Sequence, residues 1–252
     1  MRIRAVLSCA LCLAVMLLAA PLAIPQEQAP VSRVWNFTAK MGMEAEFEEA
    51  VVAHLAFLAE QGHSWQWIGF TVETGENVGD YGFVSGAHAL SDFDEYDAEM
   101  RDAAMADFRE KVAPYVESMS TSIVAAMPQI SRPPGPEATF NFVQVITFRV
   151  RFDQTERFES AVGRYHDALE NVTYTWSQPM SGFEDGPNYT LLLYHDSWAS
   201  MGGPPDALEA AMVEAYGRPA ARSLAEDFSD SVLSVSNWIA RLRPDLSYIP
   251  GQ

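Results

Sequence analysis

The sequence predicts an α+β chain built from two tandem β-α-β-β-α-β units, preceded by an export leader. Three observations predict it. The segment Phe47-Glu48-Glu49-Ala50-Val51 recurs as Phe158-Glu159-Ser160-Ala161-Val162, 111 positions later. At the same shift Phe37 falls on Phe148, Trp65 on Trp176, and Arg132-Pro133 on Arg243-Pro244, while Tyr81 falls on Tyr189 at a shift of 108. Ordered matches at a fixed period are the signature of an internal repeat. The third observation is that strand-like and helical patterns follow one another in the same order in both halves.

The first 25 residues stand apart. Arg2 and Arg4 precede an uncharged apolar run from Ala5 to Ala20, followed by Ala23 and the polar Gln26-Glu27-Gln28. A basic start, an apolar centre and a small-residue exit are the pattern of a secretory signal. Residues 1–25 are therefore expected to be a signal peptide and the mature chain to be secreted or periplasmic. An uncleaved anchor is the alternative, because Ala5 to Pro25 nearly reaches the length that spans a bilayer. Both cysteines, Cys9 and Cys12, lie in this segment. The mature part is expected to work without disulfides, thiolate chemistry or Cys-ligated metal.

In the first unit, residues 26–130, Val31 to Lys40 reads as a strand and Met43 to Gln61 as a helix. The helix shows its face through Phe47, Ala50, Val51, His54, Leu55 and Leu58, spaced i, i+3, i+4, i+7, i+8 and i+11. Gly62 marks its end. Ser64 to Thr74 and Tyr81 to Ser85 read as strands around a Gly-containing turn. Ser91 to Val116 is a second helical region with Ser91 as a candidate N-cap, and Thr121 to Ile130 the closing strand. A Pro-rich linker, 131–138, favours an extended connection. The second unit, 139–246, repeats the order with Phe140 to Phe152, Thr155 to Glu170, Thr173 to Met180, Tyr189 to His195, Pro205 to Phe228 and Ser231 to Arg241.

This order is the ferredoxin-like unit. Its helices cover one face of an antiparallel sheet and leave the other in need of a cover. Two units packed sheet to sheet supply it, as an intrachain pseudo-dimeric α+β barrel. On this order, the helix pattern and the Tyr-containing third strands (Tyr81 to Ser85; Tyr189 to His195, then Asp196-Ser197-Trp198), the chain resembles the dimeric α+β barrel superfamily. That group includes antibiotic-biosynthesis-monooxygenase-like proteins and tandem-repeat relatives such as the chlorite-dismutase-like haem proteins. The resemblance implies that small molecules are held between helices and sheet.

The chain carries a formal net charge of −18, and loss of Arg2 and Arg4 makes it two units more negative. Such a surface repels phosphate backbones, so nucleic acid is excluded as a partner, and no membrane association is expected once the leader is removed. The five histidines, His54, His63, His88, His166 and His195, show no metal-ligand spacing, and no metal or cofactor is predicted from the residues. Haem stays open through the resemblance alone, without a nameable axial ligand.

Five residues are candidates for ligand binding: His54, Trp65, Trp67, Tyr165 and Trp176. His54 lies on the apolar face of the first helix, and Tyr165 is its counterpart; they are the two catalytic candidates. The competing reading makes each a part-buried core residue with one hydrogen bond. Trp65 and Trp67 alternate along a strand and share a face, either as a stacking wall or as packing. The expected function is binding of an apolar or aromatic small molecule, by a monomer or homo-oligomer. The alternative implied by the resemblance is a cofactor-independent monooxygenase or isomerase.

Overall fold

The computed structural model describes residues 29–135, 138–182, 186–203 and 206–251. The expected leader, with Cys9 and Cys12, lies outside the described residues.

The first four strands are β1 (Val31–Ala39), β2 (Ile68–Val72), β3 (Tyr81–His88) and β4 (Val116–Ala126). Helix α1 (Glu44–Glu60) joins β1 to β2, and α2 (Leu90–Glu99) with α3 (Arg101–Lys111) joins β3 to β4. The later strands are β5 (Phe142–Val150), β6 (Tyr174–Ser181), β7 (Asn188–His195) and β8 (Val232–Leu242). Their helices are α4 (Thr155–Ala168), α5 (Ala207–Tyr216) and α6 (Arg218–Ser231).

All eight strands form one closed antiparallel barrel in the order β1-β3-β2-β8-β5-β7-β6-β4, with β4 returning to β1. Two seams join the halves: β2 to β8 through Phe70–Leu242, Thr71–Arg241 and Val72–Ala240, and β4 to β6 from Ile123–Ser181 to Ala126–Ser177. Closure removes every open edge, which is the one complete remedy for unpaired strand hydrogen bonds.

Alternation decides what each strand residue meets. In β1, Val31, Phe37 and Ala39 are buried against the helices. Thr38, on the opposite face, accepts a hydrogen bond from the Ser118 hydroxyl (3.0 Å). The α1 face read from the sequence is the buried one: Phe47, Ala50, Val51, Leu55 and Leu58 are all inside. Phe47 packs on Phe37 (6.0 Å between ring centres) and Tyr81 (4.7 Å); Phe158 does the same with Phe148 (6.0 Å) and Tyr189 (4.7 Å). The Tyr81 hydroxyl donates to Glu48, and that of Tyr189 to Glu159.

Several expectations are corrected. Each long helical region is two helices: Gly217, at φ 77°, separates α5 from α6, and Met100 separates α2 from α3. Ser91 is inside α2; Ala89 holds the cap position, and its N–H donates to the Asp92 carboxylate (2.9 Å). The closing strand β4 starts five residues before Thr121 and stops before Pro128, which lacks the N–H to continue a ladder. Strand β2 is shorter than Ser64 to Thr74, and Trp65 precedes it. Trp67 pairs only with Tyr248, through two backbone hydrogen bonds of 2.8 Å. In the linker, Arg132 is held as a rung against Tyr174.

The ladder register also corrects one match between the halves. Phe37 lies opposite Tyr81, and Phe148 opposite Tyr189. Two residues beyond these tyrosines, Phe83 faces Gly69 and Leu191 faces Trp176. Trp176 thus occupies the position of Gly69, not of Trp65. A Cβ on Gly69 would lie 2.6 Å from the Leu246 carbonyl oxygen, so that site admits no side chain. Likewise the short 3-10 turn Pro244–Leu246 follows β8 as Pro128–Ile130 follows β4, so Pro244 corresponds to Pro128 and not to Pro133.

Phe158 is fully buried. Phe158→Ala is expected to cost about 3–5 kcal/mol, read as a lower denaturant midpoint at unchanged m-value.

Candidate functional site

A cavity of about 430 Å³ lies in the first half, between α1, α3 and the outer face of β1 and β3. This is within the range of small-molecule sites. Its walls are mainly apolar, with Trp35, Phe37, Phe83 and Phe108 as the aromatic part and Leu55 and Val51 from α1. Met119, 49% exposed, stands at the open side.

His54 is a polar group set into the α1 side of this wall. Its position follows from α1: seven residues after Phe47, it shares the buried face but lies nearer the α3 side. There its Nδ1 is 2.7 Å from Asp107 Oδ2. The side chains are 15% and 9% exposed, so the pair is shielded from bulk water. Asp107 also pairs with Lys111 one turn on, and the Lys111 ammonium lies over the Phe57 ring. The His54 ring meets Phe108 edge-on at 5.8 Å.

Burial pushes the His54 imidazole below its usual range, outweighing Asp107, which acts to raise it. Burial also acts to raise the Asp107 carboxyl, but hydrogen bonds from Lys111 and His54 win and hold it low. Near neutral pH this gives a carboxylate facing a neutral imidazole. The carboxylate can only accept, so Nδ1 carries the proton and Nε2 keeps its lone pair. An imidazole fixed by a carboxylate on one nitrogen and free on the other is the arrangement of a general base.

The five candidates divide. His54 and Trp67 line the cavity. Trp65 is buried behind it, stacked on His88 (3.8 Å) and Tyr96 (4.4 Å). Trp65 and Trp67 do touch, with ring centres 6.4 Å apart. Tyr165 and Trp176 belong to the other half. Tyr165 packs edge-on against Phe228 (5.6 Å), and burial raises its hydroxyl above the usual range. Trp176 packs between Phe148 and Phe158 at 5.6 and 6.1 Å. Sequence reasoning missed Asp107, 53 residues from His54; only its place on the inner side of α3 marks it. It also missed the basic lining residues Arg33, Arg101 and Arg109.

No protein-family model matches the sequence, and no curated protein does. Solved structures do. A protein assigned as a monooxygenase from Fusobacterium nucleatum superposes with a TM-score of 0.55 at 12% identity, covering 86% of this chain and 93% of its own. An anthrone oxidase-like protein gives 0.52 at 11%, covering 90% and 95%. A variant chlorite dismutase from Candidatus Nitrospira defluvii gives 0.50 at 11%, covering 86% and 92%. The chain has the dimeric α+β barrel fold. Identities this low establish a shared fold and leave activity to the site itself.

The resemblance drawn from the sequence leaves haem open, and the cavity bears on it. His54 has the right chemistry for an axial ligand, an imidazole with Nδ1 held by a carboxylate. The space does not fit: the cavity is in the lower part of the small-ligand range, and Phe108 stands edge-on to the imidazole. The cavity beside His54 does not accommodate a haem in this form.

Because the fold depresses the His54 pKa, the unfolded chain binds the proton first. This contribution to stability is present above the unfolded value and is lost as pH falls through the lower folded one. Asp107→Asn removes the partner that raises the pKa. His54 is expected to titrate lower still in this variant, followed by NMR of its ring nitrogens.

Proposed function

We propose that the chain binds an apolar or aromatic small molecule in the first-half cavity and that His54 removes a proton from it. The observation that carries this reading is the shielded His54–Asp107 pair in an aromatic wall. Aromatic side chains supply contact area and shape for a planar ligand. The pair supplies a base of the correct tautomer, and Asp107 stabilises the imidazolium formed when Nε2 accepts the proton.

Removing a proton from a weakly acidic aromatic molecule leaves an anion delocalised over the ring. Reprotonation at another carbon is an isomerisation; reaction of the anion with dioxygen is an oxygenation. The solved monooxygenase and anthrone oxidase-like structures of this fold favour the second outcome. Neither outcome requires a cofactor from the protein.

We further read the two halves as copies of one unit, residues 26–130 and 139–246, of which the second serves as cover for the first. The matched Phe47/Phe158 clusters and Glu48–Tyr81/Glu159–Tyr189 hydrogen bonds support this. The N-terminal pattern supports export, with the mature chain acting in a secreted or periplasmic setting.

His54→Gln keeps a polar side chain but loses the base. Turnover of a phenolic aromatic substrate is expected to fall about 10²–10⁴-fold, while quenching of Trp35 and Trp67 fluorescence by the ligand persists. Turnover unchanged in this variant removes His54 from the chemistry.

A further inference from the structure

The cavity's charge is out of keeping with the rest of the chain. Acidic residues outnumber basic ones by 34 to 16, yet three arginines, Arg33, Arg101 and Arg109, line the cavity against one carboxylate, Asp102. Four arginines elsewhere are paired with carboxylates. Arg157 pairs with Asp227, Arg222 with Glu226, Arg241 with Glu73, and Arg243 with Glu48. Among the described residues, neither Arg33 nor Arg109 has such an ion pair. Arg33 is part-buried on the helix-facing side of β1, its guanidinium 4.8 Å from the centre of the Phe93 ring. Arg109 projects from α3, the helix that also carries Asp107.

A guanidinium partly removed from water and left without a counter-ion is unfavourable. The chain is rich in carboxylates, and among the described residues none forms an ion pair with Arg33. The planar fork of arginine is matched to a carboxylate, which it binds through two parallel hydrogen bonds.

We propose that the ligand is an aromatic carboxylate: its ring lies among Trp35, Phe37 and Phe83, and its carboxylate is held by Arg33 and Arg109. The proposal rests on the reading of the cavity as a small-molecule site and names the class of molecule it takes. The arginines also give the ligand an orientation, fixing one end by charge while the ring meets the wall that contains His54. Basic residues at this cavity, in a chain of net charge −18, favour the approach of such an anion.

The test uses the full mature chain and two probes, a hydroxynaphthoic acid and its methyl ester, titrated by quenching of tryptophan fluorescence. The acid is expected to bind about tenfold tighter than the ester at low ionic strength, the effect of one added charge-assisted pair. That advantage shrinks in high salt, a result read on the unaltered protein. Arg33→Met and Arg109→Met each reduce the advantage of acid over ester, and Arg33→Lys retains part of it. Equal binding of acid and ester overturns the proposal while the cavity reading survives. An advantage insensitive to salt and to both methionine variants overturns it too. Failure of both probes to bind overturns the proposal together with the reading on which it rests.

Discussion

Everything in this molecule depends on closing the sheet. Helices cover only the outer face of the eight strands, so the inner faces of the two halves must cover each other, and the outer strands β2, β4, β6 and β8 must find partners. The seams β2–β8 and β4–β6 meet both demands at once. No cysteine lies between Gln26 and Gln252, so no disulfide helps the hydrogen-bonded ladders, burial and ion pairs that hold the barrel. The aromatic clusters around Phe47 and Phe158 anchor the helices to it.

Within that frame the two halves use the same interhelical space differently. In the second, Trp176 fills it against Phe148 and Phe158, and Tyr165 closes on Phe228. In the first, the position of Trp176 is taken by Gly69, whose backbone sits directly against Leu246. The first half retains a cavity, and His54 stands in its wall where Tyr165 stands in the packed half. One half keeps a cavity and the other is packed solid at the corresponding place.

Much of the fold is legible in the sequence because it rests on local periodicity. The face of α1 is spelled out by Phe47, Ala50, Val51, Leu55 and Leu58, and Tyr81 and Tyr189 mark β3 and β7. Helix and strand ends are less legible: Met100 ends α2 without a glycine or proline to announce it, and Trp67 is bound to Tyr248, which no local pattern reveals. The site is half legible. His54 is a polar residue on an apolar face, which draws attention by itself. Asp107 reads as one acidic residue among many on an amphipathic helix, and Arg33 and Arg109 as ordinary solvated charges. Their meaning comes from packing α3 across α1 and β1, a tertiary fact. The false match of Trp65 with Trp176 has the same origin: equal spacing in sequence hid the change in loop length between α1 and β2.

Residues 243–248 cross from the second half to grip the first. Arg243 holds the Glu48 carboxylate with two hydrogen bonds (2.8 and 2.7 Å), Ser247 accepts from the Gly69 N–H, and Tyr248 pairs with Trp67. The cavity is lined by residues between Arg33 and Thr121, but its Trp67 wall is fastened by Tyr248, beyond β8. Taken without the second half, β2 lacks its neighbour β8 and Trp67 lacks its clasp at Tyr248. Such a fragment presents two open strand edges, at β2 and β4, and a cavity whose Trp67 wall is unfastened.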